Sequence, residues 1–268
     1  MTEALFLPNG DRWLPTELAR GPWSADSLHG GPVAALVTRA AELCEPDPSK
    51  QVVRLTLELL KPVPVAPLTV SARVVRPGRK VEVVDVTLAD GDRELAWGRV
   101  VRLRLQGAGN ASGLEPTVGP VPGRDPDAPA GPEGQTSTPV FDGGWSGFHN
   151  GGAELRFVDG HFSRPGPCRV WVRLAVPVVP GEVPSPTVRA AAAADFGNGV
   201  SSILDFTRFV FINPDLTVSL DRPPEGEWVC LDAATTLGPP GVGLAQSRLW
   251  DLRGPVGRSL QSLLVEPR

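Results

Sequence analysis

Leu55-Thr56-Leu57-Glu58-Leu59-Leu60-Lys61-Pro62 and Leu216-Thr217-Val218-Ser219-Leu220-Asp221-Arg222-Pro223 agree in residue type at six of eight positions and lie 161 residues apart. Each alternates apolar and polar side chains, the pattern of a strand with one face on a core. Each also ends in a basic residue followed by proline, which cannot continue a ladder. The likeness extends outward. Both segments follow a helix-like stretch and precede three strand-like runs, over 68–75, 80–88 and 94–105 in the first case and 227–235, 242–250 and 256–265 in the second. The closing runs share Gly-Arg, in GRVVRLRL from Gly98 and GRSLQSLL from Gly257. A helix with four strands, written twice, is an internal duplication, and it organises every other feature of the chain.

Composition supplies the boundary between the copies. The 268 residues include 30 glycines and 30 prolines, and from Gly107 to Gly144 nine Gly and seven Pro fill 38 positions with almost no apolar periodicity. Such a stretch reads as a linker. The expected organisation is therefore 1–106, a linker over 107–144, and 145–268, each flanking block being large enough for one small domain.

Several classes of function are excluded at this level. A net charge of −4 does not suit a phosphate-binding surface, which draws on clustered Lys and Arg, so no nucleic-acid partner is expected. No apolar run approaches the roughly 18 residues of a membrane span. Met1 to Trp13 carries no basic region followed by a long apolar stretch, so no secretory leader is read there. Cys44, Cys168 and Cys230 are odd in number and far apart, and with His29, His149 and His161 they form no metal-ligand spacing. A reduced, cytoplasmic chain with no metal and no cofactor is the expectation.

The helices carry the chemistry. The first follows His29-Gly30-Gly31, has Pro32 in its first turn, and sets Val33, Leu36, Val37, Ala40 and Cys44 on one stripe. His29 reads as a capping residue. The second opens on Ser185-Pro186, a capping residue and a first-turn proline, and is expected to stop at Gly197 in a left-handed cap. On it Val188, Ala191, Ala192 and Asp195 stand at i, i+3, i+4 and i+7, so a carboxylate shares the apolar stripe. A charge there costs several kcal/mol unless it is paired or hydrogen-bonded, which marks Asp195 as a functional candidate. The first helix has no carboxylate between Gly30 and Ala41. Other schemes lack their residues: Gly143 to Gly147 does not meet the G-x-S-x-G spacing, no histidine follows Asp195 in FGNGVSS, and no glycine-rich phosphate loop occurs.

One helix wrapped by an antiparallel sheet, twice in a chain, is an α+β double hotdog. The sequence resembles the acyl-CoA thioesterase II family of two-hotdog enzymes. The resemblance is carried by His29-Gly30-Gly31, Ala194-Asp195-Phe196, Asp221-Arg222-Pro223 with Glu227-Trp228, and Gly257-Arg258-Ser259-Leu260-Gln261-Ser262. It implies hydrolysis of a fatty acyl-CoA, or of a related acyl thioester, without a covalent intermediate, an Asp, a Gln and a hydroxyl residue holding a water. The Asp falls on Asp195 and the Gln on Gln261. The hydroxyl position falls on Asn213, a departure, with Thr217 as the competing candidate. Asp195 would take a proton from the water and Gln261 would orient it. Gly30 and Gly31, at the start of the first helix, would offer backbone N–H groups to the oxygen that gains charge. Because of the departure at Asn213, an acyl-CoA-binding protein without efficient turnover is the alternative, and a homodimer is a further expectation.

Overall fold

The computed structural model describes residues 3–105, 127–135, 145–239 and 241–268. The first half contains a hairpin of β1 (Phe6–Asn9) and β2 (Arg12–Pro15), helix α1 (Gly30–Leu43), and strands β3 (Lys50–Leu59), β4 (Thr69–Arg76), β5 (Val81–Asp90) and β6 (Arg93–Arg104). The second half contains β7 (Ala153–His161), β8 (Arg164–Leu174), α2 (Pro186–Ala194), a short α3 (Gly197–Val200), β9 (Phe209–Ile212), β10 (Asp215–Leu220), β11 (Val229–Leu237), β12 (Val242–Asp251) and β13 (Gly254–Pro267).

The duplicated segments become β3 and β10, and they pair with each other. One sheet runs β4-β5-β6-β3-β10-β13-β12-β11-β8-β7, with β9 on β13, so each half contributes its own strands on one side of the central pair. In the antiparallel register Leu57 lies opposite Leu216, Leu55 opposite Val218, and Thr56 opposite Thr217. Thr56 and Thr217 are also counterparts in the repeat, so the pseudo-twofold axis relating the halves passes between them. Leu55, Leu57, Leu216 and Val218 face the core, whereas Thr217 alternates with Leu216 and Val218 and turns to the opposite face. Thr217 is thereby removed from any site inside the fold.

The helices lie against the inner face of this sheet and against each other. α1 is buried on nearly all sides from Gly31 to Thr38, more than its apolar stripe alone predicts, because α2 covers the face that the sheet leaves open. The contact is tight enough that a β-carbon on Gly31 would lie 2.7 Å from the carbonyl oxygen of Ala192, which accounts for the small residues Ala34, Ala35 and Ala190 to Ala194 there. Each buried Val or Leu of this core contributes roughly 1.5–3 kcal/mol.

One expectation is corrected. Gly197 does not close the second helix in a left-handed conformation; the chain stays helical through Asp195 (φ −71°, ψ −14°), and Gly197 opens α3. Within the expected linker, residues 127–135 pack on the outer face of the second sheet half, where Trp171, Cys230 and Trp250 form a small separate core. Trp171 Nε1 donates to Ala130 O at 2.6 Å, Arg156 Nη1 donates to Pro132 O at 3.1 Å, and Arg248 pairs with Asp127. An indole in an apolar patch needs an acceptor, and this segment supplies it. The rest of that linker, 107–126 and 136–144, lies outside the described residues.

Buried Cys168 and Cys230 behave as apolar side chains: burial pushes both thiols up, Cys168 to about 12, so neither is a nucleophile near neutral pH. No helix among the described residues is long and apolar enough to cross a membrane.

Candidate active site

Asp195 ends α2 directly beneath the start of α1. It is 4% exposed, and polar groups from both halves surround its carboxylate. Asn213 Nδ2 donates to Oδ1 at 2.9 Å, Gln261 Nε2 approaches the same oxygen at 3.3 Å, and His29 Nδ1 lies 2.8 Å from Oδ2. A β-carbon on Gly30 would stand 2.7 Å from both carboxylate oxygens, so only glycine fits at this place in the first turn of α1.

The amides are themselves oriented. Gln261 Oε1 accepts the backbone N–H of Asn198 at 3.0 Å, and because a backbone nitrogen can only donate, Nε2 is the end that faces Asp195. The same Nε2 reaches the carbonyl oxygen of Asp195 at 3.3 Å. A β-carbon on Gly197 would lie 2.8 Å from Gln261 Oε1, which is the physical reason for glycine there in place of the expected helix cap. Asn213 Nδ2 also donates to Asp215 O at 3.1 Å, and Asn198 Nδ2 donates to Phe211 O at 3.4 Å and approaches Asn213 Oδ1 at 3.5 Å. Asn198, buried and unremarked in the sequence, thus ties Gln261 to Asn213 from the first turn of α3.

His29 caps α1 and also touches the carboxylate. Its Nδ1 is 3.0 Å from the Gly31 N–H and 2.8 Å from Asp195 Oδ2. One ring nitrogen cannot accept from an amide and donate to a carboxylate together, so the proton on Nδ1 decides which partner it serves. Phe148 and Phe196 hold the imidazole at centroid distances of 5.1 and 4.8 Å. His149, buried close by, has its pKa lowered to about 4 by burial and then by the neighbouring charge of His29, so it is neutral at physiological pH.

His29, Gly30, Asp195, Asn198 and Asn213 line a cavity of about 400 Å³ shared by the two halves, and Gln261 stands behind Asp195, outside its wall. Its walls are mainly apolar, with Val33, Leu59 and Val63 from the first half and Phe162, Phe206 and Leu264 from the second. That volume falls in the range of small-molecule sites, where apolar walls surround a few placed polar groups. Of the residues expected at the site, Asp195, Asn213, Gln261 and Gly30 come together. Gly31 is packed under Phe148 and Ala192 and does not line the cavity, and Thr217 lies on the pseudo-twofold axis facing away. Among the described residues no group of three His, Cys, Asp or Glu side chains converges as a metal site would require.

A buried carboxylate ringed by two amides and an imidazole, at the seam of two helix-on-sheet units, belongs to the double hotdog class with one site shared between its halves. Residues 19–104 match the acyl-CoA thioesterase N-terminal domain and residues 122–265 the acyl-CoA thioesterase C-terminal domain. The chain belongs to the acyl-CoA thioesterase family and is a thioester hydrolase by that membership. Solved structures agree in fold. A protein from Thermobifida fusca described as a thioesterase II is 20% identical and superposes with a TM-score of 0.73, over 97% of this chain and 95% of that one. A hot dog protein from Alicyclobacillus acidocaldarius is 17% identical with a TM-score of 0.70, over 98% and 95%. An acyl-CoA thioesterase II from Mycobacterium marinum is 16% identical with a TM-score of 0.63, over 90% of each chain. Among curated proteins no match is found.

Proposed function

We propose that the protein hydrolyses fatty acyl-CoA to the free acid and CoA, using Asp195 to activate a water that Gln261 and Asn213 help to position. The oxygen of that water bonds to the thioester carbonyl carbon while its proton passes to Asp195. The carbonyl oxygen gains negative charge, and the Gly30 N–H, in a helix turn without intrahelical acceptors, is the donor offered to it. Pro32 has no N–H and the Gly31 N–H is directed at His29 Nδ1, so Gly30 carries this role alone. Collapse of the tetrahedral state breaks the C–S bond, and the departing thiolate takes the proton from Asp195. When Nδ1 carries the proton, His29 donates to Oδ2 and holds the carboxylate on the side away from the two amides.

The observation that carries this reading is the buried Asp195 carboxylate, contacted by polar groups from both halves at the wall of an apolar cavity. Free thiol release is the test, on saturated acyl-CoA esters of rising length with the wild type and Asp195→Ala. Release by the wild type and its loss in Asp195→Ala are expected. No release above background on any ester, with acyl-CoA still binding saturably, would instead identify a binding protein. Equal rates in the two proteins would remove Asp195 from the chemistry.

A further inference from the structure

One wall of the cavity is built of rings from three separate loops: Trp23 before α1, Phe162 from the β7–β8 turn, and Phe206 before β9. Phe162 and Phe206 pack at 4.5 Å and Trp23 and Phe206 at 5.5 Å. Behind them stands Phe211 of β9, 2% exposed, edge-on to Trp23 at 5.2 Å and tilted on Phe206 at 4.5 Å. Phe211 is not part of the cavity lining. It lines a separate void of about 10 Å³ beyond, with Leu204, Thr235, Leu237 and Leu263. A single buried ring therefore backs the two aromatic side chains, Trp23 and Phe206, that wall the cavity.

We infer that Phe211 sets the upper limit of acyl-chain length by closing the cavity behind Trp23 and Phe206. The inference rests on the proposed hydrolysis of acyl-CoA. A pantetheine arm carries amides that would go unsatisfied against these rings, so the alkyl chain is the part of the substrate that meets them. A methylene group fills roughly 30 Å³, about the share of a water molecule in the liquid, so 400 Å³ holds on the order of 13 such groups. The thioester and the first atoms of the carrier occupy about four of these places, leaving room for chains of about ten carbons or fewer on the same scale. Removing the Phe211 ring frees about three methylene volumes behind Trp23 and Phe206. Each methylene newly buried contributes about 0.8 kcal/mol, near fourfold in kcat/KM.

The experiment is a profile of kcat/KM over even-numbered saturated acyl-CoA esters from four to eighteen carbons, for the wild type, Phe211→Ala and the milder Phe211→Leu, with a thermal melt of each. The wild type is expected to peak at about ten carbons or below. Phe211→Ala should move the peak up by two to four carbons while holding the four-carbon rate within about threefold, and Phe211→Leu should move it less. If Phe211→Ala does not fold, the shift in Phe211→Leu decides the matter. Folded variants with the wild-type profile would overturn the role of Phe211 and leave thioester hydrolysis standing. Absence of hydrolysis by the wild type on every chain length would instead remove the underlying function.

Discussion

At one junction of this molecule the N-terminus of α1 meets the C-terminal end of α2, and Asp195 lies under Gly30 beside a 400 Å³ cavity. At the pseudo-twofold mate of that junction the N-terminus of α2 meets the C-terminal end of α1. Counted from the capping residues His29 and Ser185, Gly30 corresponds to Pro186 and Asp195 to Arg39. The mate is closed with charge. Arg39 pairs through two bonds of 2.7 and 2.6 Å with Glu182, Ser185 Oγ donates to Glu42 at 2.9 Å, and only about 150 Å³ remains. The supporting strands differ in the same sense. Gln261 of β13 reaches the helix-end carbonyl of Asp195 at 3.3 Å, and its counterpart Arg102 of β6 donates to Cys44 O at 2.7 Å, a cation at the negative end of α1. Duplication made two equivalent places. An ion pair closes one, and the other keeps a carboxylate facing a cavity, so the substitutions that separate the two places coincide with the residues proposed for the chemistry.

The largest effect is expected from neutralising the open junction. Asp195→Asn keeps the volume and two of the contacts but cannot take a proton from water. Its kcat for acyl-CoA should fall by about 10²- to 10⁴-fold, the range for loss of a general base, while its thermal melt stays near that of the wild type. A residual rate above about one tenth would mean that the carboxylate only shapes the site. Next come the first residues of the two helices. In Gly30→Ala the added carbon meets both oxygens of Asp195 at 2.7 Å, so the carboxylate must leave Asn213 and His29, and kcat/KM should drop at least about tenfold. Pro186→Ala, at the equivalent place, should leave turnover unchanged and lower stability by about 0.4–1 kcal/mol through the freer unfolded chain. Steady-state kinetics and urea unfolding of the pair separate the two effects; similar kinetic losses in both would break the asymmetry.

The contrast was legible in the sequence only where a local period carries it. LTLELLKP and LTVSLDRP mark two alternating strands, and the spacing Val188, Ala191, Ala192, Asp195 puts a carboxylate on a buried stripe, because strand and helix periods are properties of a short segment. What escaped depends on how the halves meet. Thr217 is an alternating strand residue like any other until β10 pairs with β3 and leaves it on the axis opposite Thr56. His29 reads as a cap from its neighbours, and its contact with Asp195 spans 166 residues of chain. Gly197 looks like a helix stop, but its glycine answers to Gln261, on the far strand β13. The β7–β8 hairpin was hidden by Arg164-Pro165-Gly166-Pro167, whose prolines break the alternating pattern at the start of β8. Residues 127–135 read as linker because what they cover, Trp171, is supplied by another part of the chain.

Smaller effects belong to the closed junction. Arg39→Ala removes a half-exposed ion pair, and such pairs contribute about 0–1 kcal/mol. The guanidinium also stacks over Trp13 at 5.0 Å, which places the loss at the upper end of that range. Turnover should stay within about twofold, because no atom of Arg39 lines the large cavity. A parallel measurement of unfolding and of thiol release checks both halves of the statement, and a kinetic defect larger than the stability loss would show that the two junctions are coupled through α1.

The smallest expected change has the opposite sign. Burial raises the pKa of Glu42 above its ordinary 4.5, against the lowering effect of hydrogen bonds from Ser185 and Thr187 and of the charge on Arg102. Between the unfolded and folded values the folded state binds more protons than the unfolded one, so stability falls as pH rises through that window and stays reduced above it. Glu42→Gln removes the titration and keeps a carbonyl oxygen for Ser185 Oγ. The variant should match the wild type below pH 4, where the glutamate is protonated, and exceed it at pH 7 by less than about 1 kcal/mol. Urea unfolding at the two pH values is the check, and a variant less stable than the wild type at pH 7 would mean that Arg102 and Ser185 hold the ionised form at no cost. In the expected case the closed junction carries a charge it would be more stable without. That places the contrast with Asp195 in what surrounds each carboxylate: at Glu42 a small void beside a completed ion pair, at Asp195 an apolar cavity with room for a substrate.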